Sequence, residues 1–240
     1  MNIKKLKNGF SSYQLHLFAM IFMLIDHIGN SLLPFNFILR YIGRISFPIF
    51  CFLLVNGFFK SNDKLRYFKR LCIFAILSEI PFDLLFSNMM FDFSSQNVLW
   101  TFCISFIMMY CLEVSKKRYF VFFPIIVFIF SFIAFIIKSD YSFYGVLMVF
   151  VFYFTYNFSR KTRFIFQLLC MTIINGILFK GFCVKYGILM IYSQPFAILS
   201  LLFIWLYNGE LGRKNKYIKY FNYLFYPIHL IILWLLNLVL

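Results

Sequence analysis

The chain alternates between long apolar runs and short polar clusters. Nine runs stand out: Tyr13–Pro34, Leu39–Phe59, Tyr67–Phe86, Asn97–Val114, Tyr119–Ile137, Tyr141–Phe158, Phe164–Phe179, Tyr186–Tyr207 and Tyr217–Leu240. A helix that crosses the hydrocarbon core of a bilayer needs about 20 mostly apolar residues. The pattern therefore predicts an all-α, polytopic transmembrane helical bundle of about nine spanning helices. The seventh run is short, and Pro81, Pro124, Pro195 and Pro227 fall within the third, fifth, eighth and ninth. Proline removes a backbone donor, so kinks are expected there. No internal repeat, low-complexity tract or soluble domain interrupts the pattern, which makes residues 1–240 one integral membrane domain.

The charges orient this bundle. Lys4, Lys5 and Lys7 begin a series of clusters on one side. It continues with Lys60, Lys64, Arg66, Lys69 and Arg70, then Lys116, Lys117 and Arg118, then Arg160, Lys161 and Arg163, and last Arg213, Lys214, Lys216 and Lys219. Only Arg40, Arg44, Lys138, Lys180 and Lys185, of 23 basic residues, fall on the other. Basic residues accumulate on the cytoplasmic side, so the expected topology is N-terminus inside and C-terminus outside. The same distribution accounts for a net charge of +15 without nucleic acid as a partner.

Composition agrees: 63% of residues are apolar and 13% charged, against about 25% charged in a soluble domain. The partner implied is the lipid bilayer of a bacterial cytoplasmic membrane. The six cysteines show no paired metal-ligand spacing and lie almost entirely within apolar runs, where they act as small apolar side chains. No metal is expected. The first apolar run, with no small-residue cleavage signal after it, reads as a retained helix.

Against this background Asp26 and His27 are conspicuous, side by side in the first run. Ionisable groups at membrane depth are costly and mark functional sites by default. Arg40 and Arg44 open the second run, Glu79 and Asp83 lie in the third, and Asn97 and Thr101 open the fourth. Each pair spaced by four shares one face of a regular helix. The opposite signs predict a buried cluster in which at least one arginine pairs with Asp26, Glu79 or Asp83. Such clusters also serve simply to join helices, and long basic side chains can reach an interface. Adjacent helix residues point about 100° apart, so Asp26 and His27 each need a partner from another helix. A carboxylate such as Glu79 or Asp83 would hold His27 as a general base. On the last run Asn222, Tyr226 and His229 share a face, and His229 is the other deeply placed histidine; a plain structural hydrogen bond is its competing reading. Motifs for a nucleophile elbow, a phosphate loop, a zinc protease and a dinucleotide site are absent.

These stretches resemble the TraX family of membrane proteins. The resemblance is carried by Met23-Leu24-Ile25-Asp26-His27-Ile28-Gly29, Arg40-Tyr41-Ile42-Gly43-Arg44-Ile45-Ser46-Phe47-Pro48, Ser78-Glu79-Ile80-Pro81-Phe82-Asp83, Asn97-Val98-Leu99-Trp100-Thr101, Tyr207-Asn208-Gly209-Glu210 and Tyr226-Pro227-Ile228-His229. It covers nearly the whole chain and is specific in the first hundred residues. His16 departs from it, where a lysine is expected in many members.

The resemblance implies an acetyltransferase that uses acetyl-CoA and modifies the N-terminus of a pilin or another exported peptide. It is also distantly similar to membrane acyltransferases of sugars and peptides. In that scheme Asp26, His27, Glu79, Asp83 and Arg44 form the catalytic group, with His27 as base and Arg44 or Asn97 facing the oxyanion. Arg40, Asn97, Tyr226 and His229 bind substrate. Lys69, Arg70 and Arg213 attract the phosphates of the donor. The competing classes are a proton-coupled transporter and a non-catalytic membrane factor for pilin or peptide assembly.

Overall fold

A computed structural model describes residues 9–116, 120–186, 189–213 and 215–240. The basic positions Lys4, Lys5, Lys7, Lys117, Arg118 and Lys214 lie outside them. Among the described residues the regular structure is helical apart from one short hairpin. In order it forms α1 (Ser12–Ser31), α2 (Phe37–Gly43), α3 (Ser46–Lys60), α4 (Lys64–Leu77), α5 (Glu79–Ser87), α6 (Val98–Lys116), α7 (Phe123–Ile137), α8 (Ser142–Phe154) and α9 (Arg160–Thr172). A π-helical turn, Ile173–Leu178, extends α9. The antiparallel strands β1 (Cys183–Tyr186) and β2 (Leu189–Tyr192) follow, with Cys183 opposite Tyr192. A 3₁₀ segment (Gln194–Leu199), α10 (Ser200–Trp205) and α11 (Lys216–Val239) complete the chain.

The expectation of nine spanning helices is corrected. Among the described residues four helical segments are long and apolar enough to cross a membrane: Phe37–Lys60, Val98–Ser115, Arg160–Leu178 and Tyr220–Val239. The third apolar run breaks at Ser78, so α4 and α5 are separate. The fifth and sixth runs yield helices of 15 and 13 residues. The eighth becomes hairpin, 3₁₀ segment and short helix. Hydropathy registers apolar content but not these interruptions.

The prolines explain part of the difference. Pro81, Pro124 and Pro195 sit in the first turns of α5, α7 and the 3₁₀ segment, where a missing N–H costs nothing. They start helices and do not kink them. Pro227 alone of the four lies inside a helix.

Helix ends are tied in two groups. At the basic end the Phe10 amide donates to the Leu206 carbonyl (2.8 Å), and the Ser12 amide to that of Glu210 (2.9 Å). Lys60 Nζ reaches the Tyr207 hydroxyl and the Gly209 carbonyl, each at 2.6 Å. The Tyr207-Asn208-Gly209-Glu210 motif thus fastens the start of α1, and Gly209 supplies the left-handed turn (φ +86°) that only glycine adopts freely. At the opposite end Gln96 exchanges backbone bonds with Lys138 and Asp140. The core between is aromatic: Phe58 and Phe152 are fully enclosed, and the Phe59–Tyr156 and Tyr41–Phe196 rings stack at 4.1 and 4.7 Å. Large apolar side chains also cover the outside of α7, where Phe128, Phe132 and Phe135 are exposed. Exposed apolar surface on that scale marks contact with lipid or another protein.

Candidate active site

The site begins with two glycines. Asp26 and Gly29 share one face of α1; Arg40, Gly43 and Arg44 share one face of α2 and its cap. A Cβ on Gly43 would overlap the Asp26 side chain, and one on Gly29 would lie 2.7 Å from the Leu39 Cβ. Small residues let helices approach closely, and here they bring both guanidiniums onto one carboxylate. Arg44 Nη2 donates to both Asp26 oxygens at 2.6 Å, and Arg40 Nη1 donates to Oδ2 at 3.0 Å and to the Asp26 carbonyl at 3.2 Å. Arg44 Nη1 also reaches the Tyr141 hydroxyl at 3.4 Å. The expected pairing of an arginine with a carboxylate is present, and it involves both arginines.

His27 points away from this triad, towards α11. Its Nδ1 lies 2.8 Å from Nε2 of His229, and the two rings are parallel within 9°. His229 Nδ1 lies 2.7 Å from the carbonyl oxygen of Phe225. A carbonyl only accepts, so His229 Nδ1 carries a proton, and in the neutral ring its Nε2 is then an acceptor. His27 Nδ1 must then be the donor. The consequence is a fixed tautomer: the free nitrogen of His27, Nε2, is unprotonated. Phe86 packs edge-on against the His27 ring at 5.5 Å.

The expected carboxylate partners of His27 are therefore corrected. Glu79 accepts from the Asn97 amide at 3.3 Å and from the Asn97 side chain, so it pins the start of α6. Asp83 accepts from the Asp92 amide at 2.9 Å and holds the loop after α5. Asp92 in turn is bonded by Ser87 and by Ser94, which hold its carboxyl below the ordinary carboxylate range. Asn97 is likewise committed: its amide also donates to the Ala75 carbonyl at 2.8 Å, and its Oδ1 caps Leu99. These bonds join α4, α5 and the start of α6.

Asp26, His27, Arg40, Arg44 and Tyr226 line one chamber of about 220 Å³. Asp140 and Tyr141, the polar pair that opens the sixth run, line it as well. Tyr141 is left-handed (φ +60°), and its ring stacks on Phe47 at 3.7 Å. Left-handed non-glycine residues cluster at functional sites; the sequence places the Asp140-Tyr141 pair at the level of the other polar residues but does not signal this backbone conformation. Tyr226 is buried, with its hydroxyl directed to the Val98 backbone.

A second cavity, of about 710 Å³, lies towards the basic end. His16, Lys60, Arg70 and Arg213 line it. Of the residues expected to hold the donor, Arg70 and Arg213 are therefore brought together, whereas Lys69 is exposed and is not part of the wall. The two cavities share Phe50 and Phe102.

Four helices long and apolar enough to cross a membrane, a buried ion triad, a histidine pair and two polar-lined cavities define a helical protein of membrane-like character. The model of the TraX protein family matches residues 11–237, and the chain belongs to that family. A protein of Dichelobacter nodosus described as "Probable fimbrial assembly protein FimC, serogroup H1" is 30% identical over 237 residues, covering 93% of this chain and 94% of its own length. An uncharacterised protein of Rickettsia prowazekii is 38% identical over 81 residues, covering 34% of this chain and 29% of its own. No solved structure matches.

Proposed function

We propose that this chain is a membrane-embedded acetyltransferase. It transfers the acetyl group of acetyl-CoA to an amine or hydroxyl of an exported acceptor, foremost the N-terminus of a pilin or secreted peptide. The observation that carries the reading is the His27–His229–Phe225 hydrogen-bonded line, which leaves Nε2 of a neutral His27 free as a base on a chamber that also holds two arginines. The basic end faces the cytoplasm of the bacterial membrane, and the vestibule with Lys60, Arg70 and Arg213 takes the anionic donor. The acceptor reaches the chamber from the opposite end or from the bilayer.

For an amine the chemistry balances without a covalent enzyme intermediate. The neutral amine nitrogen attacks the thioester carbonyl and forms the C–N bond. Its surplus proton passes to His27 Nε2. The C–S bond breaks, and the thiolate leaves as CoA after recovering that proton. Charge developing on the carbonyl oxygen is stabilised by Arg40 and Arg44, whose guanidiniums both line the chamber. His229 positions His27 and does not touch substrate.

The test is to incubate the purified chain with acetyl-CoA and a peptide carrying a free amino terminus, and to follow the peptide by mass spectrometry. Gain of one acetyl group, lost in His27→Gln, is expected. The assembly function named for the D. nodosus relative favours a second reading, a non-catalytic factor for pilin assembly. Under that reading His27→Gln leaves assembly intact and acetyl-CoA does not bind.

A further inference from the structure

We infer that Asp140 holds the amino group of the acceptor at the opening of the chamber. The inference rests on the acyl-transfer reading and adds the residue that recognises the acceptor. Among the described residues of the chamber wall, Asn30 and Asp140 alone are exposed; the others are buried or half-buried. The chamber therefore opens beside these two. Asn30 lies in the last turn of α1, and Asp140 in the loop between α7 and α8. That loop pairs with Gln96 at the end opposite the basic clusters. An acceptor that enters here meets Asp140 before it meets the half-buried His27.

Asp140 is held firmly, yet half of its carboxylate is uncommitted. Its amide donates to the Gln96 carbonyl at 2.8 Å, and its carbonyl accepts from the Thr101 hydroxyl. Its Oδ1 accepts from the Tyr141 amide at 2.9 Å. Among the described residues Oδ2 has no hydrogen-bond or ion-pair partner. The two arginines of the same wall are bonded to Asp26. An asparagine would cap the Tyr141 amide equally well, so the turn does not account for the charge. The ligand this position suits is a small cation that donates hydrogen bonds, a primary ammonium group. A free amino terminus, with a pKa of about 7.7–8.0, carries that charge at neutral pH. Hydrogen bonds between ionised groups are about twice as strong as neutral ones. On entry the ammonium gives up one proton to water at the opening. The neutral amine keeps an N–H bond to Asp140 while its lone pair turns to the thioester. A hydroxyl acceptor brings no charge, so this position favours amines over alcohols.

The experiment gives acetyl-CoA and a short peptide with a free amino terminus to the purified full-length chain in detergent, and follows the acetylated peptide by mass spectrometry. Asp140→Asn keeps the oxygen that caps Tyr141 and removes the charge. It should raise the KM for the peptide by about 10-fold or more and leave the KM for acetyl-CoA unchanged. Asp140→Glu, which restores the charge, should recover part of that loss. An unchanged peptide KM in folded Asp140→Asn, or an equal rise in both KM values, overturns the inference. Wild-type protein supplies a second measurement that needs no variant. The amino peptide should bind about 10-fold more tightly than the same peptide with a hydroxyl in place of its terminal amino group; equal binding overturns the inference as well. No acetyl transfer and no CoA binding by wild-type protein overturn the acyl-transfer reading, and the inference with it.

Discussion

Replacing Asp26 by alanine removes the shared acceptor of two guanidiniums. Arg44 Nη2 loses two contacts of 2.6 Å and Arg40 Nη1 one of 3.0 Å. The three side chains are only 11–17% exposed, so they resemble a buried cluster more than a surface pair. Removing one partner of a buried pair costs about 3–5 kcal/mol, whereas an exposed pair contributes about 0–1 kcal/mol. Partial access places the loss near the lower end, about 3 kcal/mol. At about 2–4 °C per kcal/mol for a chain of this size, Tm should fall by about 6–12 °C. Melting of the detergent-solubilised protein, followed by circular dichroism, reads this directly. Arg44→Ala should cost more than Arg40→Ala, because Arg44 contacts both oxygens and Tyr141. A fall under about 2 °C for Asp26→Ala, or the reverse order for the arginines, would refute the triad as a structural unit.

His27→Gln should lower acetyl transfer by about 10²–10⁴-fold at normal folded yield, measured as acetylated peptide per mole of protein. His229→Leu should lower the rate constant less and leave the KM for acetyl-CoA unchanged, because it frees the His27 tautomer without touching the donor. Gly43→Ala should destabilise by about 1–3 kcal/mol through overpacking against Asp26, seen as a lower Tm and lost activity together. Glu79→Gln should keep the rate constant within a few-fold of wild type in whatever protein folds; a loss comparable to that of His27→Gln would show that Glu79 belongs to the chemistry.

The ion triad is legible in the sequence because a charge inside an apolar run is tolerated only when it is paired or lines a wet cavity. The four-residue spacing of Arg40 and Arg44 is enough to place them on one face. Their partner could be Asp26, Glu79 or Asp83, and only the Gly43 contact decides it. The pairing of His27 with His229 is not legible: 202 residues separate them, and nothing local in either helix names the other. Glu79 and Asp83 mislead because a carboxylate beside helix starts looks the same whether it orients a base or caps a backbone. The helix count fails where apolar sequence is neutral about shape, as at Ser78 and through the Cys183–Tyr192 hairpin.

The histidine pair has one further consequence. Its hydrogen-bonded line runs from His27 through His229 to the carbonyl of Phe225 and stops there. A peptide oxygen does not relay a proton onward, so the line is a dead end and not a conductor. Any proton that His27 collects has to go back the way it came, into the chamber. In the proposed acyl transfer the proton goes from the acceptor amine to the departing thiolate inside the chamber, and the histidine line carries none of it. That property separates this arrangement from the intramembrane carboxylate and histidine chains through which pumps carry current.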